Sequence, residues 1–228
     1  MRAAVLALAS ALAAGPAGAE CRLALVLALD ISASVDAAED RLQRQGLAHV
    51  LTLPEVEAAF LAFPGRPVAL SAFEWSGRYQ QHLMLGWHMI EGAEDLRAAA
   101  AAIAASERER NDMATALGYA LGFAAVHFRD APACDEKKID VSGDGRNNDG
   151  FPPSSAYRAF DFHGVTVNGL AIAGSDLELG EYYRRELIRG TGAFVIVAED
   201  FEDFARAMRL KLLRELEGPV MGGLGAAR

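Results

Sequence analysis

Apolar residues in this chain form short unbroken runs that alternate with helical stripes. The run at residues 23–29 predicts a strand buried on both faces of a parallel sheet. Residues 36–51 instead have helical spacing, which predicts that Leu42 and Leu47 face the core. The other predicted strands are 68–75, 79–87, 137–141, 165–173 and 193–198, and the other predicted helices are 55–63, 93–105, 116–128, 154–160, 178–189 and 201–216. This alternation predicts an α/β fold, with a mostly parallel sheet covered by helices on both faces.

The first 19 residues have the features of an export signal. Arg2 supplies a positive start, residues 3–14 are apolar, and residues 17–19 are the small residues of a cleavage site. The apolar stretch is shorter than the roughly 20 residues that span a bilayer, so we expect cleavage and no transmembrane segment. A lipidated Cys21 is the alternative, although Glu20 suits a lipoprotein cleavage site poorly. The chain is therefore predicted to be exported, either to the periplasm or out of the cell.

The remaining sequence has the size and charge of one acidic domain. We predict a leader at 1–19, one domain at 20–217 and a disordered tail at 218–228. The formal net charge of the whole chain is −9. Nucleic acids and anionic membranes attract basic proteins, so this charge argues against both as the main partner.

Oxygen-bearing side chains follow two of the predicted strands and precede one helix. Asp30, Ser32 and Ser34 come directly after the first strand, Thr115 precedes the helix at 116–128, and Asp144 follows the strand at 137–141. In open α/β sheets, ligands bind at the carboxyl ends of the strands. Hard cations such as Mg²⁺ prefer oxygen ligands. A helix N-cap is the competing interpretation for the first three residues, because Asp and Ser are favoured caps.

The pattern Asp-x-Ser-x-Ser, followed by a distant Thr and then Asp-Gly, resembles the von Willebrand factor A (vWA) domain. The resemblance covers about residues 22–217, and it implies a doubly wound sheet of six strands, one of them antiparallel. It also implies a metal-ion-dependent adhesion site (MIDAS) for a divalent cation, most simply Mg²⁺, with Mn²⁺ or Ca²⁺ as alternatives. The implied cation ligands, direct or through water, are Asp30, Ser32, Ser34, Thr115 and Asp144. In that family the open coordination position accepts an Asp or Glu carboxylate from a partner protein.

One departure from the family pattern occurs before Asp144. The family usually has Thr or Ser immediately before Asp-Gly, whereas this chain has Gly143 between Ser142 and Asp144. Several further stretches resemble the DUF1194 family of exported bacterial proteins, to which no activity is assigned. Those stretches are residues 73–77, 139–150, 165–170 and 182–184.

Cys21 and Cys134 are the only two cysteines. In an exported protein they most simply form one disulfide, with two separate buried thiols as the alternative. The vWA resemblance implies that the strands following them are parallel neighbours. Asp30 follows Cys21 by nine residues and Asp144 follows Cys134 by ten, so cysteines and carboxylates would meet at opposite edges of the sheet.

Other functions have weaker support in the sequence. A hydrolase using Ser32 would need a base and an oxyanion hole, and no Gly-x-Ser-x-Gly elbow is present. We therefore expect a protein that is not an enzyme. The first alternative to cation binding is a structural or assembly protein with a vestigial metal site, and the hydrolase ranks after it. Glu74 is either an additional site residue or a carboxylate that faces water. Asn147 and Asn148 fail the calcium-loop spacing and predict a turn.

Overall fold

The computed structural model describes residues 21–108, 112–174 and 176–217. Within these ranges six strands form one sheet in the order β3-β2-β1-β4-β5-β6, with only β3 antiparallel. The strands are β1 Cys21–Asp30, β2 Val68–Trp75, β3 Gln81–Ile90, β4 Cys134–Gly143, β5 Val165–Ile172 and β6 Val195–Ala198. The helices are α1 Ala37–Leu51, α2 Pro54–Phe60, α3 Ala93–Ala105, α4 Leu117–His127, α5 Pro153–Ala159, α6 Leu179–Tyr182 and α7 Phe204–Leu216. A 3₁₀ turn, Phe128–Asp130, follows α4, and a π-helical turn, Tyr183–Leu187, follows α6. The predicted α/β architecture is confirmed.

The strand order reverses between β1 and β4. The chain winds outward from β1 through β2 to β3, then returns to β4 on the other side and winds through β5 to β6. Such a reversal opens a crevice at the carboxyl ends of the two central strands, where ligands of doubly wound sheets bind. Asp30 ends β1 and Gly143 ends β4, so the candidate site residues border this crevice.

Helices cover both faces of the sheet. Leu25 and Leu27 of β1 belong to the core layer formed with α1, α2, α3 and α7. Val26 and Ala28, the alternate residues, belong to the layer formed with α4, α5, α6 and the π-helical turn. Because both faces are buried, every residue of β1 is buried, which explains its unbroken apolar sequence.

One face of α1 departs from the predicted pattern. Leu42 is 38% exposed, whereas the polar residues Asp40 and Arg44 are buried. Arg44 forms an ion pair with Asp40 at 2.9 Å and a second one with Glu74 of β2. Glu74 is fully buried, so it neither faces water nor lies free in the site. The two ion pairs compensate the cost of burying these charges, and they turn the polar side of α1 toward the sheet.

Two element boundaries also differ from the predictions. β3 lies at Gln81–Ile90 instead of 79–87, because Trp75 pairs with Gln81 and Val68 pairs with Ile90. Two register shifts in this pairing let β3 use ten residues against eight in β2. The predicted single helix at 178–189 is instead α6 followed by the π-helical turn. It ends where the backbone of Arg189 pairs with Val167.

The predicted disulfide is confirmed. Cys21 and Cys134 are register partners on the parallel strands β1 and β4, with their Cα atoms 4.5 Å apart, and their sulfurs are bonded. The bond lies at the amino ends of the strands, opposite Asp30 and Gly143. The predicted leader 1–19 and tail 218–228 lie outside the described residues. Among the described helices, none has the length and apolar character needed to cross a membrane.

Candidate metal centre

The loop between β1 and α1 presents two serine hydroxyls that do not cap the helix. The N-cap of α1 is Asp36, whose carboxylate accepts hydrogen bonds from the backbone N–H groups of Ala38 and Glu39 at 2.6 and 2.9 Å. The Glu39 carboxylate accepts in turn from the Asp36 N–H at 2.7 Å, which completes a capping box. The capping role suggested for Ser32 and Ser34 is therefore filled by Asp36, and their hydroxyls are available for other contacts.

All five predicted site residues meet in one network of short contacts. Asp30 Oδ1 accepts the Ser32 N–H at 2.7 Å. The Ser32 hydroxyl lies 3.2 Å from the hydroxyls of both Ser34 and Thr115. The Ser34 hydroxyl donates to Asp144 Oδ1 at 2.8 Å, so Asp144 reaches the site despite the additional Gly143. Two carboxylates and three hydroxyls therefore converge at the crevice between β1 and β4.

The environment of the network disfavours the charged form of both carboxylates. Asp30 is fully buried, and burial together with the nearby charge of Asp144 raises the pKa of Asp30 to about 7. Burial also raises the pKa of Asp144. Asp30 Oδ2 has no hydrogen-bond partner among the described residues. A buried charge needs compensation, and a cation beside these carboxylates would supply it.

The chemistry of the donor set fits a hard divalent cation. Carboxylate and hydroxyl oxygens are the ligands that Mg²⁺ accepts, usually together with retained waters. No group of three or more His, Cys, Asp or Glu side chains suited to a metal ion occurs among the described residues. The site instead depends on hydroxyls, and it is open on one side, since Ser34 is exposed while Ser32 is buried. A cation held here would lie beside the two carboxylates of the network and have an accessible position.

Arg108 supports the site loop, a role that its sequence position did not indicate. Its guanidinium donates to the backbone carbonyls of Ile31, Ser32 and Val35 at 2.6, 3.0 and 2.8 Å. These bonds fix the backbone that carries both serines. The interaction is with main-chain atoms, so it does not depend on the residue types at 31–35 and could not be predicted from them.

Two asparagines hold the Thr115 segment from the other side. The Thr115 N–H donates to Asn148 Oδ1 at 2.8 Å, and the Asn148 N–H donates back to the Thr115 carbonyl at 3.0 Å. Asn147 Oδ1 accepts from the Gly118 N–H, in the first turn of α4, at 3.2 Å. The polar turn predicted here therefore also positions Thr115. The only hint of this role was the preference of Asn for capping backbone N–H groups.

The sequence profile of a family described as protein of unknown function (DUF1194) matches residues 20–220. The chain belongs to the DUF1194 family. The match covers the whole of the sheet and all the candidate ligands. No curated protein matches this DUF1194 sequence.

Solved structures place this DUF1194 protein in the vWA fold. The proximal thread matrix protein 1 of the mussel byssus, solved with a zinc-occupied MIDAS motif, matches with a TM-score of 0.61 and 16% identity over 86% of this chain and 48% of that one. A von Willebrand factor type A protein from Catenulispora acidiphila gives 0.58 and 16% over 86% of this chain and 43% of that one. The conserved hypothetical protein BatB from Bacteroides thetaiotaomicron gives 0.58 and 15% over 85% and 98%. The DUF1194 chain thus spans about half the length of the mussel protein, and at these identities the likeness concerns the fold.

Proposed function

We propose that this protein is an exported vWA-type domain that binds a divalent cation, with Mg²⁺ as the expected ion, at Asp30, Ser32, Ser34, Thr115 and Asp144. Through that ion it binds a carboxylate of a partner protein. The convergence of two carboxylates and three hydroxyls at the crevice between the central strands is the observation that carries the proposal. The zinc-occupied MIDAS motif of the structurally similar mussel protein supports it.

The partner chemistry follows from the charge of the donor set. Three of the five proposed ligands are neutral hydroxyls, so the donor set carries only the charges of Asp30 and Asp144. The bound ion then balances these charges, and the site has no net negative charge that would repel an incoming anion. The exposed side of the site, at Ser34, gives such an anion access. An Asp or Glu side chain on a partner protein is the anion that this geometry favours.

Export is supported by two independent features. The family match begins at residue 20, directly after the predicted leader. The Cys21–Cys134 disulfide suits an oxidising compartment, since cytosolic thiols are kept reduced. We propose that residues 1–19 are removed and that the domain at 20–217 acts in the periplasm or outside the cell.

Replacing Asp30 by Asn is expected to weaken Mn²⁺ binding by about 100-fold, because it removes the more buried of the two carboxylates. The affinity is measured by calorimetry or by water-proton relaxation with Mn²⁺. Asp149→Asn is the matched control, since Asp149 lies in the loop after β4, at the same edge of the sheet, but pairs with Arg78 at 2.8 Å. The control is expected to bind within about twofold of wild type. Equal losses in both variants would mean that only the general acidity of this edge attracts the ion, and the proposed site would be wrong.

Carboxylate recognition is tested with two short peptides that differ only in one Glu or Gln. With Mn²⁺ bound, the Glu peptide is expected to displace metal-bound water and lower the water-proton relaxation rate, whereas the Gln peptide leaves it unchanged. Addition of EDTA should abolish the difference, because the carboxylate contact requires the ion. If both peptides bind equally, or if the Glu peptide binds without metal, the ion is not the recognition element.

A further inference from the structure

Gly143 interrupts the family pattern before Asp144, and its backbone does not require glycine. It is not among the described glycines with positive φ, so any residue could adopt this conformation. The space beside it is what excludes a side chain. A Cβ at this position would lie 2.7 Å from Asp30 Oδ2 and 2.7 Å from the Tyr183 hydroxyl oxygen. The absent side chain lets these two oxygens approach the same point.

The two oxygens are complementary in their hydrogen bonding. Both are buried, and neither has a hydrogen-bond partner among the described residues. Each lies 2.7 Å from a common point, so they are at most twice that distance apart. A single water joins two oxygens up to roughly 5.6 Å apart, because two O–H···O bonds of about 2.8 Å lie end to end. The tyrosine hydroxyl carries a proton at neutral pH, since its ordinary pKa is about 10, so it can donate to the carboxylate.

The position of Tyr183 is well defined by its surroundings. It begins the π-helical turn after α6, and it is completely buried. A Cβ at Gly169 on β5 would lie 2.8 Å from its ring, so a second glycine clears space for the aromatic group. Short π-helical segments occur frequently at functional sites. Two glycines on neighbouring strands thus admit one tyrosine, whose hydroxyl reaches the buried carboxylate.

We propose that Tyr183 is a positioning residue of the cation site, whose hydroxyl donates to Asp30 Oδ2 through one water and fixes that carboxylate toward the ion. The inference rests on the proposed cation binding and adds a residue to it. It also accounts for Gly143, because a Ser, Thr or Ala there would place its Cβ only 2.7 Å from each of the two oxygens. Outer partners of this kind typically change metal affinity by 10- to 100-fold.

Tyr183→Phe is the decisive variant, because it removes only the hydroxyl and keeps the packed ring. We expect Mn²⁺ affinity to fall about tenfold, with the thermal midpoint of the metal-free protein nearly unchanged. Tyr157→Phe is the matched control. The Tyr157 hydroxyl is partly buried as well, but it donates to the Leu187 carbonyl at the end of the same π-helical turn. This control is expected to change stability and to leave Mn²⁺ affinity within twofold.

Two further measurements separate positioning from a structural effect. In an Asp30→Asn background, Tyr183→Phe is expected to cause no additional loss of affinity, because its effect passes through the Asp30 carboxylate. Mg²⁺ is also expected to change the near-ultraviolet tyrosine absorption of wild type, and the change should be absent in Tyr183→Phe. If wild type binds Mn²⁺ and Tyr183→Phe binds equally well, the positioning role is overturned. If wild type binds no divalent cation, the proposed function itself fails.

Discussion

Replacing both Cys21 and Cys134 by serine is expected to lower the free energy of unfolding by about 4–5 kcal/mol. The bond closes a loop of 113 residues, and in the chain-entropy view a loop of that length greatly restricts the unfolded chain. The native strands lose little, because β1 and β4 remain paired in register from Leu23 to Leu29. Equilibrium unfolding in urea, compared between wild type and the double variant, measures the difference.

Reduction of the wild-type protein provides the control for this experiment. Reduced wild type and the double variant should unfold at the same urea concentration, because both lack the same covalent link. Mn²⁺ affinity should remain within about twofold in either form, since Cys21 and Asp30 lie at opposite ends of β1. A stability loss below about 1 kcal/mol would mean that the unfolded chain is already restricted by residual structure.

The central strands were predictable because burial leaves a strong mark on their sequence. Every residue of β1 is buried, so its sequence is apolar almost throughout, and such a run predicts a core strand. The vWA resemblance supplied the number of strands, the presence of one antiparallel strand and the parallel pairing of β1 with β4. The full order of the strands was not predicted, since a single sequence does not show which strands pair. The limits of β3 were wrong because two register shifts against β2 depend on contacts between the strands.

The side of α1 that faces the sheet was wrong for a related reason. Helical periodicity assumes that charged residues face water, yet Arg44 and Asp40 are buried and Leu42 is exposed. The burial of Arg44 is stabilised by its ion pair with Glu74, which is 30 residues away in the sequence. A buried ion pair between distant residues has no local signature, so the pattern placed Leu42 on the buried side.

The site shows the same division between local and distant signals. The five proposed ligands belong to short motifs, and they could be named from sequence. Arg108, Asn148 and Tyr183 act on them through backbone atoms or through space, from 33 to 153 residues away along the chain. Gly143 was visible as a departure from the family pattern, but its role depends on a side chain 40 residues later. The proposed ligands could thus be named from the sequence, whereas the residues that support them could be identified only in the fold.

A second large effect is expected at Lys211, a residue of α7 whose side chain is completely buried. Its ammonium lies 2.9 Å from Asp140 Oδ1 of β4 and 2.7 Å from Glu215 Oε1. Asn168 donates to the same Glu215 oxygen at 2.9 Å. Lys211→Met is expected to lower the free energy of unfolding by about 3–5 kcal/mol at pH 7, because it leaves two buried carboxylates without their cation.

The stability loss of Lys211→Met should be larger at high pH than at low pH, because the buried carboxylates are charged at high pH. Burial raises the pKa of Asp140 to about 6 although Lys211 opposes this rise, and removing Lys211 should raise it further. The folded protein then binds a proton more tightly than the unfolded chain, so stability falls as pH rises from about 4 through the folded pKa. Urea unfolding of Lys211→Met should therefore show a smaller loss of stability at pH 5 than at pH 7.

The variant Lys211→Met/Asp140→Asn/Glu215→Gln should regain most of the stability at pH 7, since it removes the unpaired charges. A loss that is equal at both pH values would assign the effect to the packing of the lysine stem instead.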